Sequence, residues 1–228
     1  MVTAGPARQR PFLFVLAGVN GAGKSSVGGA MVAGHGLAWY NPDSFARELA
    51  QAGMPAEEAN VRAWQHGKEL LEAAIAKGSN HAFETTLGAN TIPALLRDAA
   101  PSHDVVVLFC GLNSPEMHIE RVRVRVAHGG HDIPEAKIRE RWVASRLNLI
   151  HLMPHLAHLQ VFDNSIEALP GQDIPDPVLV LEAKGGVLLF PDPHDQHVLA
   201  ATPAWAKPIV QAAMELDDAR RSGSTNGS

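Results

Sequence analysis

The residues best suited to chemistry sit in one short segment, "AGVNGAGKSS" at 17–26, where Gly18, Gly23, Lys24 and Ser25 fit the pattern G-x-x-x-x-G-K-[ST]. Val19, Asn20, Gly21 and Ala22 fill the turn between them. Such a loop must point its backbone N–H groups inward around a phosphate chain, and only glycine-rich sequence does this without Cβ clashes. Lys24 would reach the outer phosphates and the Ser25 hydroxyl would coordinate Mg²⁺. A helix opening through Ser26 would aim its positive end at the anion. Gly18, Asn20, Gly21, Ala22, Gly23, Lys24, Ser25 and Ser26 are thus the nucleotide-binding candidates. A glycine turn without a ligand is the competing reading; the apolar run before the loop and the helical pattern after it argue against that.

Other groups could act on what the loop holds. Asp43, in "NPDSF", has the position of a base that accepts a proton from an attacking hydroxyl, and equally of a helix N-cap. Glu84, Thr85 and Thr86 end an apolar run, where an acid could hold Mg²⁺ through water or bind a substrate hydroxyl, or only pin a loop. Asn113 and Asp163–Asn164 end two further runs. Arg121 and Arg125 are four apart and share a helix face, whereas Arg123 points elsewhere. Arg139, Arg141 and Arg146 follow beyond "HGGHDIP". Arginines on a closing lid can stabilise a phosphoryl group in flight, and about two of these would do so. Arg121, Arg125 and Arg141 are the candidates, the others forming a solvated basic face. His151, His155 and His158 have helical spacing but no Cys, Asp or Glu beside them and a proline between them, so zinc is disfavoured. His194 and His197 are no better.

These groups require a frame. Strands are expected at 12–17, 37–41, "NHAFETTL", 104–112 and "HLQVFDNS", with helices between them: one closing near Gly34, one starting around Asp43 or Ser44, one through Val61, Trp64, Leu71 and Ile75, one near 91–100 and one from Ser114 to about Val126. The β-α-β-α alternation implies an α/β fold with a parallel sheet of about five strands and helices on both faces. In such sheets ligand groups gather at the C-terminal strand ends. Gly129–Gly130 read as a joint to a lid helix starting near Pro134. "PVLVLEAKGGVLLF" reads as a hairpin turning at Gly185–Gly186, followed by a helix over about 203–220. The expected organisation is a flexible leader at 1–10, one domain over 11–220 with a lid at about 121–150 and a C-terminal hairpin and helix at about 178–220, and a disordered tail at 221–228.

A formal charge of −5 and a pI near 6.2 argue against general binding to nucleic acid or anionic membranes. No apolar run approaches the roughly 20 residues of a transmembrane helix, and "RQRPFLFVLAG" feeds the phosphate loop rather than a cleavage site, so no membrane role is expected. The lone Cys110 excludes an intrachain disulfide and fits a reducing cytoplasm.

Taken in order, "GVNGAGKSS", "NPDSFARE", "FETTL", "RVRVRVAHGGHDIPEAKIRERW", "SRLNL" and "FDNS" resemble the zeta-toxin-like P-loop kinases over residues 12–165. The resemblance implies an adenylate-kinase-like sheet, ATP as donor, and phosphorylation of a hydroxyl on a small molecule, which in the best-known toxins is a UDP-activated amino sugar. It makes Lys24 and Ser25 the ATP and Mg²⁺ contacts, Asp43 the base, Glu84 and Thr86 acceptor contacts, and Arg121 a charge stabiliser. It also makes an antitoxin protein a candidate partner. Two departures stand in the acceptor half: Gly88 where such toxins tend to carry arginine, and His131 where they tend to carry a lid arginine. A nucleotide-operated switch or a binding module without catalysis is the alternative. A GTPase would want N-K-x-D and an ABC-type ATPase an S-G-G-Q-like signature, and neither occurs.

Overall fold

Apolar runs with no internal polar residue set the architecture. In β1 (Phe12–Ala17) successive side chains alternate between two faces: Leu13, Val15 and Ala17 enter the main core, and Leu16 enters a second cluster with Leu108 and Cys110. Burial on both faces suits a central strand, and β1 lies between β3 (His81–Thr85) and β4 (Asp104–Gly111), parallel to both. The computed structural model describes residues 10–24, 39–166 and 175–225. The expected helix closing near Gly34, the beginning of the second strand at 37–38, Ser25, Ser26 and residues 1–9 of the leader lie outside them.

The described strands form one sheet in the order β2-β3-β1-β4-β5-β6-β7, where β2 is Trp39–Tyr40, β5 His158–Asp163, β6 Val178–Lys184 and β7 Val187–Phe190. The first five are parallel, and β6 and β7 join antiparallel beyond β5. The expected sheet of about five strands is therefore its parallel part. The hairpin does not stand apart but extends the sheet to seven strands, because Leu181, Ala183 and Leu188 have a core to enter.

Between the strands run α1 (Pro42–Gln51), α2 (Ala56–Lys77), α3 (Thr91–Ala99), α4 (Pro115–Ala127) and α5 (Glu135–Leu152). α6 (Gln196–Ala201) and α7 (Lys207–Thr225) close the chain. α7 is the helix expected at about 203–220, and α6 is a short additional helix before it. α7 also carries helix through 221–225 of the expected disordered tail, whereas 226–228 lie outside the described residues. Trp205 and Ile209 are buried. A Cβ on Gly111 would meet the Trp205 ring at 2.2 Å, and the Trp205 indole donates to Asp163 Oδ1 at 3.1 Å. The C-terminal segment thereby buttresses the ends of β4 and β5.

Candidate active site

The phosphate loop leaves the C-terminal end of β1, between β3 and β4, the end of a parallel sheet where ligand groups gather. Its backbone demands the glycines. Gly18, Gly21 and Gly23 all have positive φ, and a Cβ on Gly18 would stand 2.3 Å from the Cys110 carbonyl oxygen. The walls hold the loop: Asn164 Nδ2 donates to Ala22 O at 2.9 Å, and His118 Nδ1 lies 2.9 Å from Asn20 O. Since a carbonyl only accepts, that ring nitrogen carries the proton. Burial, with the charges of Lys24 and Arg121, holds the His118 pKa down to about 4 and keeps the ring neutral. Burial pushes the Cys110 thiol up to about 12, which makes it unreactive.

Lys24 is only 6% exposed. Its Nζ donates to Gly18 O at 2.7 Å and pairs with Glu84 Oε1 at 3.2 Å. The other Glu84 oxygen accepts from Asn41 Nδ2 at 2.9 Å, while Asn41 Oδ1 caps α1 by accepting from Ser44 N at 3.1 Å. This corrects the cap reading of Asp43. Asn41 followed by Pro42 at the first helical position is the cap, and Asp43 lies in the first turn with no capping duty.

Asp43 and Glu84 line a cavity of about 740 Å³, with Lys24 and Asn20 at its floor. α2 supplies Asn60, Trp64 and Lys68; the end of β3, the loop after it and the start of α3 supply Thr85 to Ile92; the lid supplies His131, Ile133, Lys137 and Arg141. Trp64 is 47% exposed, so this apolar residue belongs to the cavity wall and not the core. Tyr40 reaches the wall because Gly67 lacks a side chain: a Cβ there would sit 2.6 Å from the ring, and the phenol donates to Ala63 O at 2.5 Å. Thr85 Oγ1 and Thr86 Oγ1 accept from Leu87 N and Gly88 N, each at 3.2 Å. These turns hold Leu87 at φ 52°, a left-handed conformation costly for leucine, at the lip of the site.

The arginines separate. Arg141 lines the cavity and donates to Asn20 Oδ1 at 2.7 Å; burial lowers its pKa, with Asp43 and Glu140 acting the other way. A Cβ on Gly88 would lie 2.6 Å from Arg141 Cγ, so the missing side chain there is what lets the Arg141 stem pass. Arg121 stands by the loop and donates to Asn164 O at 2.8 Å. Arg125 pairs with Asp43 at 3.5 Å and donates to His131 O at 2.9 Å. Arg123 and Arg139 instead pair with Glu135 and Glu116, and Arg146 stacks 3.5 Å over the Trp142 ring. His131, in the place of the expected lid arginine, accepts from Asn60 at 3.0 Å, and Gly130 N donates to Arg125 O at 2.9 Å, which ties the glycine joint to α4.

The AAA domain family matches residues 13–144. The chain belongs to this family. The members of its kind are P-loop, kinase-like α/β domains, and the sheet and loop agree with that. Among solved structures, a chain of the AvrRxo1-ORF1:-ORF2 complex with ATP superposes with a TM-score of 0.63 at 16% identity, covering 86% of this AAA domain chain and 64% of that one. A chain of the PezAT chromosomal toxin-antitoxin system of Streptococcus pneumoniae superposes with a TM-score of 0.53 at 17% identity, covering 69% of each. At these identities the likeness is one of fold, and it accords with the zeta-toxin-like resemblance. The chain spans less than two thirds of the AvrRxo1 chain. No curated protein matches.

Among the other expected groups, Asp163 is engaged structurally, by Trp205 and Ser165, and Asn113 meets Ser165 through its backbone. The three histidines do not share a helix face. α5 ends at Leu152, His155 closes a 3₁₀ turn, and His158 begins β5 with Glu182 at 2.8 Å. Among the described residues no cluster of three or more His, Cys, Asp or Glu is set to hold a metal, and no helix is long and apolar enough to cross a membrane. Asn41, Trp64, Lys68, Lys137 and His118 escaped the sequence reading. Only Asn41 carried a local signal, the Asn-Pro pair of a helix start.

Proposed function

We propose that this AAA domain chain is an ATP-dependent phosphotransferase that phosphorylates a hydroxyl of a small molecule bound in the 740 Å³ cavity. One observation carries the reading: the loop lysine and a carboxylate with no capping duty line the same cavity. ATP would lie along the glycine cradle with its terminal phosphate toward Lys24. Mg²⁺ would come with the phosphates and take the hydroxyl of Ser25 as its protein ligand, supplying charge neutralisation. Asp43 accepts the proton of the acceptor hydroxyl, which then attacks the terminal phosphorus as ADP leaves. Arg141, half-desolvated and beside Asn20 and Asp43, is the best-placed cation for the equatorial oxygens, with Arg121 on the loop side and Arg125 steadying Asp43. Glu84, Thr85 and Thr86 would contact the acceptor, for which a nucleotide-activated sugar is the first compound to try.

The PezAT and AvrRxo1 complexes support an antitoxin-like protein partner, and a cytoplasmic site of action goes with ATP as donor. The test is incubation with labelled ATP and fractionated metabolites, followed by identification of the labelled product. A product absent with Lys24→Ala supports the reading. Nucleotide binding with no labelled product from any fraction would turn it toward a switch or binding module.

A further inference from the structure

Two polar atoms behind the phosphate loop have no hydrogen-bond partner among the described residues, His118 Nε2 and Ser145 Oγ. Both residues are sealed from solvent, at 1% and 0% exposure. Leaving such atoms dry is costly, and native interiors almost always satisfy them. Both residues line one small internal cavity of about 10 Å³, shared with Cys110, Leu112 and Trp142. That volume is about one water molecule. An apolar void of this size stays empty, but this one has a ring nitrogen and a hydroxyl on its walls.

The protonation state defines what is needed. His118 Nδ1–H donates to the Asn20 carbonyl, so Nε2 of the neutral ring can only accept. The Ser145 hydroxyl has a proton to give and lone pairs to fill. We propose that one ordered water occupies this cavity, donates to His118 Nε2 and hydrogen-bonds Ser145 Oγ, and so ties the phosphate loop to α5. Because burial keeps the ring neutral well below physiological pH, the acceptor at Nε2 persists.

The water completes a circuit around Asn20. Arg141, one turn before Ser145 on α5, donates to Asn20 Oδ1 at 2.7 Å. The backbone oxygen of the same residue is held by His118. Through the water, α5 grips Asn20 at both its side chain and its main chain, so a movement of the lid helix is transmitted to the loop. His118 and Ser145 are positioning residues here, since neither touches the large cavity.

The direct test is a high-resolution crystal structure of the wild-type chain. A density peak within hydrogen-bond distance of both His118 Nε2 and Ser145 Oγ is expected; empty density, or a direct bond between the two side chains, overturns the proposal. Nitrogen chemical shifts of His118 should report a protonated Nδ1 and a hydrogen-bonded, unprotonated Nε2, and the opposite tautomer counts equally against it. For the coupling, Ser145→Ala should weaken a non-hydrolysable ATP analogue about three- to tenfold at a temperature where the variant is fully folded. Ser145→Thr, which keeps the hydroxyl, should stay within about twofold. Wild-type affinity in Ser145→Ala would sever the water from the loop.

Discussion

The two halves of the site are built from different material. The donor half is mostly main chain: three glycines at positive φ, with the Cys110, Asn20 and Ala22 carbonyls fixed by close approach or by a hydrogen bond. The acceptor half is mostly side chains, drawn from α1, α2, the segment after β3 and the lid. A main-chain cradle fits any nucleoside triphosphate and tolerates little change, whereas a side-chain cavity can be refitted residue by residue. On the proposed reading, the phosphate chemistry sits on the first surface and substrate choice on the second.

The comparison breaks most visibly at Lys24, the donor-side residue whose side chain would meet the terminal phosphate. Lys24→Ala should abolish transfer and weaken ATP binding, checked by labelled-product formation and calorimetry, because the phosphates lose their fixed countercharge. Turnover equal to wild type would remove the loop from the mechanism. On the acceptor side, Asp43→Asn should lower transfer roughly a hundred- to ten-thousand-fold while leaving ATP affinity near normal. Its melting temperature should hold, since the helix cap is Asn41.

A third prediction tests how rigidly the donor half is built. His118 has its pKa depressed to about 4 in the fold against about 6.5 when unfolded. Its contribution is fully present above pH 6.5 and is lost as pH falls toward 4, because the unfolded chain takes up the proton first. The loss amounts to about 3 kcal/mol. Urea unfolding at pH 7 and pH 4.5 should differ by most of this in the wild type and by much less in His118→Gln. Equal pH dependence of the two would refute the assignment.

The same contrast decides what could be read from the sequence. The loop was legible because its glycines have a fixed spacing that backbone geometry demands, and the parallel strands because "FLFVLA" and "DVVVLFCG" are buried on both faces. The acceptor wall was not. Trp64 and Lys68 read as ordinary helix residues until α2 is folded against β2, and Lys137 carries nothing in the sequence that separates it from the exposed charges of its helix, whereas Arg141 stands among the lid candidates. Glu84 lines the cavity as a strand-end acid should, but its bonds to Lys24 and Asn41 could not be read from its position in the sequence. The Asp43 cap reading failed because the Asn-Pro pair two residues earlier was the stronger start signal.

Gly88 sharpens the comparison from the acceptor side. A methyl there would press on the Arg141 stem at 2.6 Å. Gly88→Ala should therefore move the guanidinium away from the transferred phosphoryl group and lower kcat about tenfold, with a smaller rise in the KM of ATP through the lost bond to Asn20. Because Gly88 leaves no arginine at this position to grip a diphosphate, UDP-N-acetylglucosamine should bind more weakly than to the classical toxins unless Arg125 or a lysine reaches the same space. Saturable phosphorylation of it at micromolar concentration would count against that.

The smallest effect belongs to Asn41, where the halves meet. Its Oδ1 caps the helix that carries Asp43, and its Nδ2 holds the carboxylate that pairs with Lys24. The two duties separate by substitution. Asn41→Ala removes both and should cost about 1 kcal/mol of stability, the usual loss of a cap. Serine caps a helix about as well as asparagine but is too short to reach Glu84, so Asn41→Ser should melt near the wild-type temperature. If the bond to Glu84 matters for coupling the halves, Asn41→Ser should nonetheless lower transfer a few-fold, since a freed carboxylate competes with the phosphates for Lys24. Wild-type kinetics in Asn41→Ser, with the stability loss confined to Asn41→Ala, would reduce Asn41 to a helix cap and leave the two halves joined only through Lys24 and Arg141.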